Sequence, residues 1–123
     1  MKHTILAAVL SVVATSAVAQ ERAGFFALRA VGDADWTMTC QIGLPNERTS
    51  TRSVRGQRDE QAYFTNRRAT GATCSYEVPQ GQPLRLEFED RAFACPFTAT
   101  DDGLCRTTIA GGASGRFEVR LRE

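Results

Sequence analysis

The chain has 123 residues, 24% of them charged, with 15 Lys plus Arg against 14 Asp plus Glu. So even a balance gives no electrostatic case for a nucleic-acid partner or an anionic membrane surface. The only lysine, Lys2, and the only histidine, His3, lie at the extreme start.

Met1 to Ala19 reads as a secretory signal peptide. Lys2 and His3 form a basic start, Ile5 to Ala14 is an apolar run, and Ala17-Val18-Ala19 is a small-x-small cleavage signal. The run is too short to span a bilayer, which takes about twenty residues. The residue immediately after the cleavage point is Gln20 and not a cysteine, so neither a membrane span nor a lipid anchor is expected. The expectation is a periplasmic or secreted bacterial protein whose single domain runs from Gln20 to Glu123. Cleavage removes both His3 and Lys2 and leaves 14 arginines against 14 acids.

Period-two alternation dominates the rest. In chain order, Phe25 to Val31 is a weak strand in which adjacent Phe25 and Phe26 must point to opposite faces. One of them therefore needs cover from a loop or a partner. Trp36 to Ile42 is a half-buried strand, with Trp36, Met38, Cys40 and Ile42 on one face. Asn46 to Asp59, dense in Arg, Thr and Ser, reads as a long loop or a ragged edge strand. Ala62 to Thr65 is another weak candidate. Thr73 to Val78 and Leu84 to Glu89 alternate clearly, Ala92 to Thr98 and Leu104 to Ile109 less so, and Phe117 to Arg122 closes the series. Gly32-Asp33, Pro79-Gln80-Gly81, Asp102-Gly103 and the glycine-rich Ala110 to Gly115 mark turns between them. Short strands at this spacing predict an all-β fold, a small antiparallel β-sandwich or barrel.

Cys40, Cys74, Cys95 and Cys105 make an even count, which in an exported domain reads as two disulfides. Three connectivities are open, and pairing 40 with 74 and 95 with 105 is favoured. Cys40 and Cys74 fall on inward faces, so their bridge is expected to cross the core. Loop closure at these separations is worth about 4 and about 3 kcal/mol. A tight turn at Asp102-Gly103 would leave Cys95 out of register with Cys105, so the second bridge needs a wider loop. Without a CxxC pair or a histidine, a structural metal site is not expected. Trp36-x-x-x-Cys40, three further cysteines and a glycine-rich stretch before the last strand resemble the invasion-associated locus B family of exported bacterial proteins. The resemblance implies an envelope β-domain with disulfides and transfers no catalytic residue. The chain departs from that pattern in its shorter length and its wider Cys95 to Cys105 spacing.

Nucleophilic catalysis through Ser or Cys needs a base, usually His and sometimes Lys, and the domain keeps neither. Histidine-ligated metals and haem are excluded in the same way, and no cofactor is expected. Carboxylates remain. Glu87 and Glu89 alternate with apolar residues and read as a solvated face, while Asp101-Asp102-Gly103 lacks the ligand spacing of a calcium loop. Arginines are the better candidates. Arg48, Arg52, Arg55, Arg58, Arg67 and Arg68 crowd Asn46 to Thr70, whereas acids dominate Glu77 to Asp102. Tyr63 and Phe64 lie among these arginines as possible anchors, since Arg and aromatic residues dominate binding hot spots. The functional expectation is a non-enzymatic binding module that docks a protein or an anionic envelope polymer, such as an enzyme inhibitor or an accessory of an envelope complex. Two alternatives stay open: a small hydrolase using Glu87, Glu89 or Asp101 with Arg, and a small-ligand carrier.

Overall fold

The computed structural model describes residues 22–58, 60–89, 92–98 and 103–123. The predicted signal peptide lies outside them, as do Asp101 and Asp102. Eight strands follow in order: β1 Gly24–Gly32, β2 Thr37–Leu44, β3 Arg48–Arg55, β4 Gln61–Ala69, β5 Gly71–Glu77, β6 Leu84–Phe88, β7 Cys105–Ile109 and β8 Ser114–Arg120. They form two four-stranded antiparallel sheets, β4-β1-β6-β7 (sheet A) and β3-β2-β5-β8 (sheet B). The all-β expectation holds, and no helix occurs among the described residues.

Alternation decides what each sheet buries. Phe26, Leu28 and Ala30 of β1, Phe64 of β4, and Leu84, Leu86 and Phe88 of β6 face inward from sheet A. Met38, Cys40 and Ile42 of β2, Ala72 and Cys74 of β5, and Val119 of β8 meet them from sheet B. At one end Phe26, Phe88 and Phe93 form a three-ring cluster, with centroids 5.3 to 6.0 Å apart in tilted and edge-to-face geometry. Trp36 fills a slot elsewhere in the core, and Gly56 makes the slot possible. A β-carbon on Gly56 would sit 1.9 Å from Trp36 Nε1. That close fit leaves the indole N–H as a buried donor without a hydrogen-bond partner among the described residues.

Both favoured disulfides form. The first does not cross the core. Cys40 and Cys74 are directly opposed on neighbouring strands β2 and β5 of the same sheet, with Cα atoms 4.1 Å apart. Inward orientation alone could not separate these arrangements, because neighbours in one sheet share an inward face. The second bridge ties Cys105, at the start of β7, to Cys95 in the preceding loop. Two disulfides in so small a domain suit an extracellular or otherwise oxidising compartment.

Three segments differ from the expected strands. Ala92 to Thr98 is not a strand; it contributes only an isolated bridge, Phe93 to Leu121, with Ala94 N–H donating to Arg120 O. Pro96 and the Cys95 linkage turn the chain away immediately afterwards. Asn46 to Asp59 contains a regular edge strand, β3, paired with β2 over eight consecutive residues. The β2–β3 turn is not marked by glycine, yet Asn46 and Glu47 take φ of 66° and 59° there. Finally, β4 runs to Ala69, well past Thr65.

Candidate functional site

The predicted site residues divide among several surfaces and the core. Phe64 is fully buried and packs in the core, so it is unavailable as a surface anchor. Parity explains this: β1 pairs Leu28 with Phe64 and Arg29 with Tyr63, so the two aromatic neighbours take opposite faces.

The arginines gather mainly along one side of the sandwich, where β3 and β4 form edges of the two sheets. Thr70 N–H donates to Gly43 O and so extends the β2–β5 ladder beyond the Gly43–Gly71 pair, while Thr49 of β3 lies on the other side of Gly43. Midway, the Arg52 guanidinium sits 5.9 Å from the Phe64 ring centre. Register puts Arg52 opposite Cys40 and Arg48 opposite Leu44, on the core-facing side of an edge strand. The sandwich opens to solvent there, and inward-pointing charge on an edge opposes pairing with a foreign strand. Arg55 instead lies on the outer face of sheet B and forms an ion pair with Asp35 at 2.9 Å. Arg58 lines a 310 Å³ cleft with Asp33, Asp35, Trp36 and Pro83. Arg48 and Arg52 thus lie on the core-facing side of edge strand β3, and Arg67 and Arg68 on edge strand β4 opposite Phe25.

Tyr63 belongs to a second surface, one that sequence reasoning touched separately through Phe25, Glu87 and Glu89. On the outer face of sheet A, an open groove of 580 Å³ has Ala27 and Thr65 in its lining and Phe25, Tyr63 and Leu104 around it. These three are the large hydrophobic residues exposed among the described residues, at 50%, 50% and 55%. Phe25 projects outward because its neighbour Phe26 takes the core. A bulge sets Phe25 opposite Arg67 and Arg68, where the β1–β4 register shifts between Gly24 and Phe26. Arg29, Glu87, Glu89 and Arg106 supply the groove's charge, with Arg29 and Glu87 ion-paired.

Glu87 on β6 and Glu89 just past its end lie two residues apart in one segment and do not face each other across a cleft, as paired acid and base carboxyls do in glycoside hydrolysis. Asp101 lies outside the described residues. Phe26 packs in the core, Phe97 packs on Phe117 at 5.1 Å, and Trp36 is buried at the wall of the 310 Å³ cleft.

Comparisons with protein-family models, with curated proteins and with solved structures return no match, so the resemblance to the locus B family rests on Trp36-x-x-x-Cys40, the three further cysteines and the glycine-rich stretch alone.

Proposed function

We propose that the chain is a non-enzymatic binding module of the periplasm or cell exterior that docks an acidic protein or an anionic envelope polymer. An enzyme inhibitor or an accessory of an envelope complex would act in this way. The observation that carries the reading is that Arg48 and Arg52 lie on edge strand β3 and Arg67 and Arg68 on edge strand β4, two edges that the Arg52 to Phe64 contact brings to one side of the sandwich. Guanidinium groups bind carboxylate and phosphate in bidentate fashion, and a clustered field speeds encounter with an anionic partner. The disulfides, and the signal-peptide pattern read at Met1 to Ala19, support export.

The test compares two variants with equal loss of charge. One changes Arg52, Arg67 and Arg68 to Ala; the other changes Arg116, Arg120 and Arg85, which lie on other strands. Co-purification from envelope extract at low salt, where charge contacts are strongest, should be lost in the first and kept in the second. Equal behaviour of the two would contradict the reading.

A further inference from the structure

The outer face of sheet A carries a pattern that the arginine side does not use. Directly opposed residues form one row across all four strands: Tyr63 on β4, Arg29 on β1, Glu87 on β6 and Arg106 on β7. In order, the row is aromatic, positive, negative, positive. Reversed and laid upon itself it is complementary at every place. Tyr63 meets Arg106, Arg29 meets Glu87, Glu87 meets Arg29, and Arg106 meets Tyr63. The first and last are cation–π contacts, and the middle two are ion pairs.

Only one symmetry operation reverses the row while packing the face against itself. It is a two-fold axis parallel to the strands, running between β1 and β6. Such an axis superposes β4 on β7 and β1 on β6 of a second copy, which is the self-matching patch an isologous dimer requires. We infer that this face is the contact surface for a second copy of the same chain.

The charges favour that occupant over a foreign one. Arg29 and Arg106 balance Glu87 and Glu89 within the groove, so a strongly acidic partner would meet two carboxylates and a strongly basic one two guanidinium groups. A second copy brings the opposite charge to each place. Leu104 on the β7 side then moves toward the β4 side of the other copy, where Tyr63 and Phe25 are exposed. Burial of these side chains supplies the non-directional part of the association. Twisted sheets pack at about 30° to one another, so the match is closest at the central row and looser at the corners.

Sedimentation equilibrium on the protein with both disulfides formed tests this. The wild type should show a reversible monomer–dimer equilibrium. Arg29→Glu sets Glu against Glu87 across the axis, and Glu87→Arg sets Arg against Arg29. Each should weaken the dimer by about tenfold or more, since like charges brought together at an interface cost heavily. Mixing the two single variants should restore association, because each then meets the opposite charge. The double exchange Arg29→Glu with Glu87→Arg keeps the pair within each copy and should dimerise like the wild type. Leu104→Asp leaves the row intact and should also weaken the dimer. Wild type that stays monomeric at every concentration would overturn the inference. So would a dimer indifferent to Leu104→Asp and to the single charge variants, or a mixture no tighter than its components. Thermal unfolding of each variant confirms that the fold is kept, and the double exchange and Leu104→Asp remain decisive even if a single charge variant is unstable.

Discussion

The two outer faces of this sandwich have the same antiparallel architecture and opposite chemistry. On sheet B the outward positions are Thr37, Thr39 and Gln41 on β2, Thr51, Ser53 and Arg55 on β3, Thr73 and Ser75 on β5, and Arg116, Glu118 and Arg120 on β8. Their hydroxyls and charges satisfy one another locally, as in the Thr39 to Ser53 hydrogen bond at 2.8 Å and the Arg120 to Glu118 ion pair at 2.8 Å. On sheet A the same geometry presents Phe25 and Tyr63, with Leu104 beside β7, around a charged row. β-branched and hydroxyl residues make a sheet face that is complete in water. Large apolar residues on such a face are the informative departure, because exposed apolar groups gathered in one patch mark interaction sites.

The largest expected effect separates two adjacent residues. Phe26→Ala removes a ring from the Phe26–Phe88–Phe93 cluster and should cost about 3–5 kcal/mol. Phe25→Thr gives sheet A the chemistry of sheet B and should change stability by about 0.5 kcal/mol or less, measured by denaturant unfolding at a concentration where the protein is monomeric. A large loss at Phe25 would mean that its ring belongs to the core and that the two faces do not differ as described.

The smallest effect lies on sheet B. The hydrogen bond from Arg120, followed by its charge, holds the Glu118 carboxyl below the ordinary carboxylate value. A depressed folded-state value stabilises the fold above the unfolded carboxylate pKa and loses that contribution as pH falls through the folded value. Arg120→Ala should therefore lower Tm slightly at neutral pH, and the gap to the wild type should close as the solution is acidified below about pH 4. A gap that widens on acidification would show that Arg120 acts through some other contact.

Much of this fold was legible in the sequence because it rests on local alternation. Trp36 to Ile42 and Leu84 to Glu89 mark their buried faces without reference to the rest of the chain, and the four cysteines pair as favoured. Sheet membership was not legible, since hydrogen-bonding partners are a property of the whole chain. Cys40 and Cys74 therefore read as a bridge across the core when they are lateral neighbours. The same limit applied to the site. Tyr63 and Phe64 offer no parity signal of their own, and only the pairing with Leu28 and Arg29 decides which ring is buried. Phe25, Tyr63 and Leu104 come from three distant parts of the chain, and only the order β4-β1-β6-β7 brings them around one groove. The crowd of arginines was visible as composition, but its division among an open side, an outer face and a cleft depended on the register of β3.

The contrast between the faces is tested most directly by isotope-filtered NOE spectroscopy on an equal mixture of labelled and unlabelled protein. Contacts between copies should connect the Tyr63 ring with the Arg106 side chain and Leu104 with residues of β4. Contacts between copies that involve Thr39, Thr51 and Thr73 of sheet B, or the absence of any such contacts at millimolar concentration, would contradict the account.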